Sequence, residues 1–302
     1  MSVYLDPSIP EKRQAVQERI RTHHRIPVFS IVEFNIWGAC NRRCSFCPVS
    51  DPEVFTNRRE GIAPGDYEKI LIDLKSIDFD GIVLWSMFSE PLLHKQIHEL
   101  ARITKRILPE AELHVVSNGD VIRKRDDKLA SLYESGIDCI QFSLYDDENQ
   151  YVEFMGKRER GGYSVTQMGL RRRYFNNGDY GMTVSNRAGL VDSNRYRAET
   201  DQSVSVELLP LKRPCHYPFY QVAIDYNGDV LLCAHDWSKD LVMGNALVDS
   251  IWDIWTNGFY QDVRSSMMAS DRGFNPCAKC DVHGDLMGGK HYTAFFNSNM
   301  RG

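Results

Sequence analysis

The chain has no apolar run long enough to cross a bilayer. Nothing approaches the roughly 18 residues a spanning helix needs, and the richest stretches, such as residues 81–85, are strand length. Residues 1–25 carry no apolar core ahead of a small-residue cleavage site, so no secretory signal is read there. Positive charge is not in surplus: Lys plus Arg number 36 against 41 Asp plus Glu, for a net charge of −5. A chain so balanced suits neither nucleic acid nor an anionic membrane surface, both of which select clustered basic residues. Internal repeats and low-complexity tracts are missing too. At 302 residues, 42% apolar and 25% charged, the composition is ordinary for a globular protein. The length suits one large domain, or one domain and a smaller module. These absences make the cytoplasm the expected compartment, where disulfides are rare. What the sequence does have is eight cysteines, and there grouped cysteines read as metal ligands or catalytic groups.

The apolar pattern alternates between two periods. Residues 10–23 read as a surface helix. Strands are expected at 29–36, 81–86, 112–117, 138–144 and 181–185, with helices at 64–76, 95–107, 126–135 and 163–176. Such alternation predicts an α/β fold with a parallel sheet or barrel, whose chemistry lies at the C-terminal strand ends. The rhythm breaks over residues 190–214, which read as a bridge to a second module. There, strands at 219–224 and 229–233 flank Asp225-Tyr226-Asn227-Gly228, a hairpin signal. A helix follows at 249–268.

The first cysteine group is Cys40-Asn41-Arg42-Arg43-Cys44-Ser45-Phe46-Cys47. Three thiolates on a loop after a strand can hold a cubane iron–sulfur cluster and leave one iron open. Structural zinc usually takes four protein ligands, and a set of inert buried thiols is the plainest alternative. The second group is Cys215, Cys233, Cys277 and Cys280. Four thiolates can close a second cluster, an arrangement suited to electron transfer, or hold a zinc ion.

Several segments in order make the chain similar to the radical S-adenosylmethionine (SAM) superfamily. Phe46, before the third cysteine, stands where an aromatic commonly packs near the adenine. Ser86-Met87-Phe88-Ser89-Glu90-Pro91 resembles the segment ending in Glu-Pro that meets the methionine amino group, with Met87 and Ser89 where glycines are frequent. Ser117-Asn118-Gly119 resembles the ribose-contacting segment, and Ser143 matches a position that often contacts SAM. With the second cysteine group, the chain resembles members carrying a Twitch or SPASM auxiliary iron–sulfur domain. The resemblance is strongest to the aminocyclitol dehydrogenases of aminoglycoside antibiotic biosynthesis. It runs from about residue 30 to about 284 and includes Ser30-Ile31-Val32-Glu33, Ser185-Asn186-Arg187-Ala188-Gly189, Val242-Met243-Gly244-Asn245 and Asp253-Ile254-Trp255.

This resemblance implies a partial (β/α)6-type barrel with a small C-terminal module of β-hairpin plus helix. The expected division is a helical extension (1–25), the partial barrel (26–195) and the auxiliary cluster domain (196–302). It implies two 4Fe–4S clusters, SAM, and an external one-electron donor such as flavodoxin or ferredoxin. A 5′-deoxyadenosyl radical would take hydrogen from a carbon bearing a hydroxyl. Loss of the hydroxyl proton would leave a reducing ketyl radical, and the second cluster would accept its electron, giving a ketone. Glu33 and Arg187 match substrate-contacting positions, a carboxylate suiting an ammonium or hydroxyl and a guanidinium suiting a hydroxyl or alkoxide; an internal ion pair is the plainer reading. The base is unassigned. Cys139 reads as a core residue, with a hydrogen-atom donor as the sharper alternative. The run 171–173 reads as a solvated helix face. His216 and His235 lie close to ligand cysteines, placed either to tune the cluster or on the surface. Other expectations are an epimerase, which needs a thiol, a peptide-modifying maturase, or a non-catalytic zinc or iron–sulfur protein.

Overall fold

The computed structural model describes residues 9–176, 178, 180, 181, 183–196 and 208–299. Helix α1 (Ile9–Glu18) leads through a short hairpin, β1 (Thr22–His23) and β2 (Ile26–Pro27), into β3 (Ile31–Asn35). Next come α2 (Pro64–Ser76), β4 (Ile82–Trp85), α3 (Ile97–Ile107), β5 (Glu112–Ser117), α4 (Asp126–Glu134), β6 (Cys139–Leu144), α5 (Glu148–Gly161) and β7 (Met168–Arg172). The remainder is α6 (Tyr217–Tyr220), β8 (Gln221–Asp225), β9 (Asp229–Leu231), β10 (Val242–Asn245), α7 (Ile251–Thr256), α8 (Gly258–Met268) and α9 (Gly289–Asn299).

Eight strands form one sheet in the order β10-β9-β8-β3-β4-β5-β6-β7. From β8 through β3 to β7 every neighbour pair is parallel, while β9 and β10 add antiparallel to the β8 edge. The hairpin of the C-terminal module therefore continues the main sheet. The alternation of strand residues assigns the two faces. Val32, Phe34, Val83, Trp85, Val115 and Phe142 point outward, into the core shared with Tyr67, Ile70, Leu71 and Leu74 of α2. Ile31, Ile82 and Leu84 point the other way and pack with Tyr220 and Val16. Helix α1 is a surface helix, as expected, with Pro10, Arg13, Gln14, Gln17 and Glu18 exposed and Val16 fully buried against the sheet; just beyond it, Ser30 Oγ donates to the Arg19 carbonyl at 3.3 Å.

The α/β alternation and the parallel sheet stand as expected, but three elements are corrected. The helix expected at 163–176 lies earlier, at α5, and residues 168–172 form strand β7. Asp147 caps α5 by accepting the Gln150 N–H, and Gly162, at φ 66°, ends it. The helix expected at 249–268 is two helices, parted where Asn257 accepts the Tyr260 N–H at 2.8 Å and starts α8. The described part of the expected strand at 181–185 is irregular, and Met182 lies outside the described residues. Residues 197–207 of the expected bridge also lie outside them. At the Asp225–Gly228 turn the hairpin closes as expected, with Gly228 at φ 87° donating its N–H to the Asp225 carbonyl at 2.9 Å.

Candidate functional site

The first cysteine group occupies the loop after β3, at the C-terminal edge of the parallel strands. The Cys40 N–H is held by Asn57 Oδ1 at 2.7 Å, and the Cys47 N–H by the Cys44 carbonyl at 2.9 Å. Arg42 pins the loop across the strand ends: its Nε donates to Asp120 Oδ2 and its Nη1 to Asp146 Oδ1, each at 2.7 Å. Cys40 and Cys47 pack beside buried Val49, Phe88 and Trp237. Burial pushes the Cys40 thiol up to about 11, aided by the charges of Glu90 and Cys47. Cys44 rises to about 12, from burial first and then from Cys47 and Cys40. Three mutually repelling thiols in a sheltered loop become thiolates most readily with cationic metal among them. Among the described residues no three His, Cys, Asp or Glu side chains stand close enough to hold a single ion.

Glu90, Ser117 and Asn118 form one hydrogen-bonded unit. Glu90 Oε1 accepts from Ser117 Oγ at 2.8 Å and from the Leu92 N–H at 3.0 Å, while Oε2 accepts the Asn118 N–H at 2.7 Å. Burial raises the Glu90 carboxyl to about 7 against these three donors. Asn118 Nδ2 reaches Asn41 Oδ1 at 2.8 Å, tying the unit to the cysteine loop. Met87 holds φ 79°, the backbone a glycine adopts freely. Ser89 Oγ donates to Asn35 Oδ1 at 2.7 Å, and Asn35 in turn donates to the fully buried Asp225 at 2.7 Å.

Ser143, next to last in β6, accepts from Arg171 Nη2 at 2.8 Å, its register partner on β7. Arg171 is buried, so the run 171–173 is not a solvated helix face. Phe46 packs against Tyr145 (5.6 Å) and edge-on to Tyr196 (5.8 Å). These rings line a cavity of about 460 Å³ with Cys44, Arg173 and Tyr180. Cys139 begins β6, at the end opposite Ser143, and its Sγ takes the Gln141 Nε2 donor at 3.2 Å.

Glu33 is buried mid-strand on the inner face and accepts from Gln221 Nε2. Burial raises its carboxyl, and Lys12 of α1 and Arg187 are the cations that oppose the shift. The structure therefore brings both expected substrate residues into one field and adds Lys12. Lys12 lies one turn from buried Val16, four residues on and so on the same helix face. Arg187 lies in a turn with φ 49°. That turn is bolted to the second cysteine group. Asn186 Nδ2 donates to the Lys279 carbonyl at 2.7 Å, and the Asn186 N–H donates to Asp281 Oδ1 at 2.8 Å. Arg187 Nη1 lies 3.4 Å from His235 Nδ1. Burial, then the Arg187 charge, lowers His235 to about 3, so the ring stays neutral and accepts there. His216 turns away, its Nδ1 3.1 Å from the Met287 carbonyl and its ring against Tyr292.

The second cysteine group gathers chain from three places. Cys215 precedes α6, Cys233 follows β9, and Cys277 and Cys280 bracket a single turn in which the Cys280 N–H donates to the Cys277 carbonyl at 3.2 Å. Burial raises all four thiols, and Cys277, Cys280 and Cys215 each add to the rise at Cys233. Gly284 passes so close, at φ 77°, that a Cβ there would stand 2.3 Å from Cys215 Sγ. Gly244 likewise fits β10 against α7, where a Cβ would meet Ile254 Cγ1 at 2.8 Å. The donor set of both groups fits iron–sulfur clusters, one with three thiolates and one with four. Sequence reasoning missed Arg42, Lys12 and Arg171. Of these only Arg171 left a trace, in the alternation of Met168-Gly169-Leu170 ahead of it.

The comparisons agree with this geometry. The Radical SAM superfamily model matches residues 34–165, and the model of the iron–sulfur cluster-binding SPASM domain matches residues 215–281. The S-adenosyl-L-methionine-dependent 2-deoxy-scyllo-inosamine dehydrogenase of Niallia circulans is 26% identical over 256 residues, spanning 84% of this chain and 93% of that protein. A GTP 3′,8-cyclase of Chlorobaculum tepidum is 25% identical over 150 residues, 49% of this chain and 42% of that protein. The crystal structure of BtrN in complex with AdoMet and 2-DOIA shares the fold, with a TM-score of 0.66 at 23% identity over 85% of this chain and 94% of that one. No helix among the described residues is long and apolar enough to cross a membrane.

Proposed function

Because the chain belongs to the radical SAM superfamily, with a SPASM iron–sulfur module and hence SAM and two 4Fe–4S clusters as its cofactors, we propose that it is a dehydrogenase. Its substrate is an amino-sugar, cyclitol or similar polar small molecule, oxidised from secondary alcohol to ketone. The observation that carries this reading is the buried Glu33 carboxylate in the field of Arg187, whose turn is hydrogen-bonded to the Cys277–Cys280 segment. The 2-deoxy-scyllo-inosamine dehydrogenase that spans most of the chain supports the same substrate class.

Cys40, Cys44 and Cys47 hold the open cluster, and Cys215, Cys233, Cys277 and Cys280 hold the closed one. When bound, the open cluster together with SAM would supply a 5′-deoxyadenosyl radical for hydrogen abstraction at the carbinol carbon, and the closed cluster an acceptor for the remaining electron. Glu90, Ser117, Asn118 and Ser143 hold SAM, with Phe46 against its adenine. Glu33 accepts from a substrate hydroxyl or ammonium. Arg187 orients a substrate oxygen, because its buried Nε has no hydrogen-bond partner among the described residues; it stays protonated and is no base. Cys139, at the far end of β6 from Ser143, has no part in the chemistry. The division into extension (1–25), barrel (26–195) and auxiliary domain (196–302) belongs to the same proposal. So do a cytoplasmic location, a flavodoxin or ferredoxin donor, and a setting in antibiotic biosynthesis.

Mass spectrometry of an anaerobic reaction with candidate aminocyclitols tests the reading. The expected product is lighter by a pair of hydrogens, with 5′-deoxyadenosine formed from SAM. A product of unchanged mass refutes dehydrogenation in favour of epimerisation. Reconstituted protein should bind about eight irons, and the variant with Cys40, Cys44 and Cys47 all changed to Ala about four, with all SAM cleavage lost.

A further inference from the structure

Arg272 is 1% exposed, in the turn that follows α8. Its Nε donates to the Arg213 carbonyl at 2.9 Å and its Nη1 to the Val282 carbonyl at 2.7 Å. Its Nη2 donates to the carbonyls of Pro214 at 2.9 Å and His283 at 2.5 Å. The four acceptors belong to two segments, one running into Cys215 and the other leaving Cys280. A single planar fork therefore fixes the spacing of two cysteine-bearing stretches that are far apart in the chain. Beside it the His216 N–H donates to the Gly284 carbonyl at 2.8 Å, closing the same junction.

All four acceptors are neutral, and a buried guanidinium so held is costly unless an anion faces it. The segments it clamps carry Cys215 and Cys280, whose thiolates around a bound cluster would be the anions it faces. Asp285, the acid that acts on Cys215, is paired with Arg213 at 2.8 Å and so is partly neutralised.

We propose that Arg272 is a positioning residue for the second cluster: it clamps the two ligand-bearing segments and gives the cluster a buried positive charge that favours its reduced state. A fixed cation beside an iron–sulfur cluster raises its potential, because reduction adds negative charge. Uptake of the electron left on the substrate radical, which oxidises the substrate and reduces the cluster by one electron, becomes more favourable. The proposal rests on the four cysteines being the ligands. That premise is checked separately: unsubstituted protein that binds only about four irons refutes the ligand assignment whatever Arg272 does.

The test is Arg272→Gln and Arg272→Lys in reconstituted holoenzyme, with iron content, EPR-monitored midpoint potentials of both clusters, and SAM cleavage without substrate. The expected result is a more negative potential for the second cluster in R272Q, with the first cluster unchanged and R272K closer to the unsubstituted value. Selective loss of the second cluster's irons from R272Q or both variants, with SAM cleavage kept, also supports the clamp. R272Q with full iron and an unchanged potential overturns the proposal. Loss of both clusters in both variants overturns it too, because Arg272 then serves the whole fold.

Discussion

The first cysteine loop hangs on Arg42, and replacing it measures how rigidly that loop must be held. Arg42 makes three charge-assisted hydrogen bonds: two to Asp120 and one, at 2.7 Å, to Asp146. Each would contribute about 1.5–3 kcal/mol if sheltered. The setting reduces this, since the Arg42 side chain is 17% exposed and the two acids 25% and 35%. Neither acid is orphaned in Arg42→Ala. Asp120 keeps Asn41 Nδ2 at 2.7 Å, and Asp146 keeps Arg123 Nη1 at 2.7 Å. The net loss is therefore about 2–3 kcal/mol rather than the sum of three buried bonds. Urea unfolding of Arg42→Ala, Asp120→Ala and the double variant should give a coupling of about 1–2 kcal/mol. Arg42→Lys should recover little of it, because one ammonium cannot form the two parallel bonds to Asp120 while reaching Asp146. The loop also loses its tether to the strand ends, so iron retention at the first site should fall in Arg42→Ala. Coupling near zero, with iron retained in full, would refute the claim that this fork holds the loop.

Two further outcomes follow from the SAM-side segment. Met87→Val places a β-branched side chain at φ 79°, which should destabilise by about 1–3 kcal/mol, while Met87→Gly should stay within about 1 kcal/mol of the parent; denaturant midpoints decide, and equal effects would mean that the left-handed backbone is not maintained. Glu90 keeps its proton up to about pH 7 in the fold but releases it near 4.5 when unfolded. Its contribution is therefore complete below the unfolded value and is lost as pH rises through the folded one, by an amount on the order of 1–3 kcal/mol. Glu90→Gln should flatten the fall in stability between about pH 5 and about pH 8, and parallel curves for the two proteins would contradict the burial argument.

The parallel sheet was legible because its strands are short, apolar and separated by amphipathic helices, as at α2 and β5. The error at α5 came from weighing charge above punctuation. Residues 148–161 are polar and carry little apolar periodicity, so nothing in them looked like a buried face. Yet Asp147 and the pair Gly161-Gly162 bracket them as a cap and a stop. In the same way Arg171, Arg172 and Arg173 suggested solvent, although Arg171 alternates inward on a strand whose lumen is polar at that level. Asn257 divided the next long helix by accepting from Tyr260, a signal that the run of apolar residues on either side concealed.

The candidate site divides along a similar line. Cysteine spacing survives in one dimension because each ligand set includes a short run of chain, and Glu90, Ser117 and Asn118 lie near strand ends where topology alone makes neighbours of them. The residues that hold the cysteines left no such trace. Arg42 meets Asp120 and Asp146 across three βα units, and Lys12 reaches the field of Glu33 only because α1 folds onto the inner face of the sheet. Each of these is an ordinary charged residue until its partner is placed. The spacing of thiols therefore points to candidate metal-binding groups, whereas the long-range charged contacts hold the segments that carry them. For two clusters that must differ in task, one open to a cofactor and one enclosed for an electron, that second layer is where the difference has to be built.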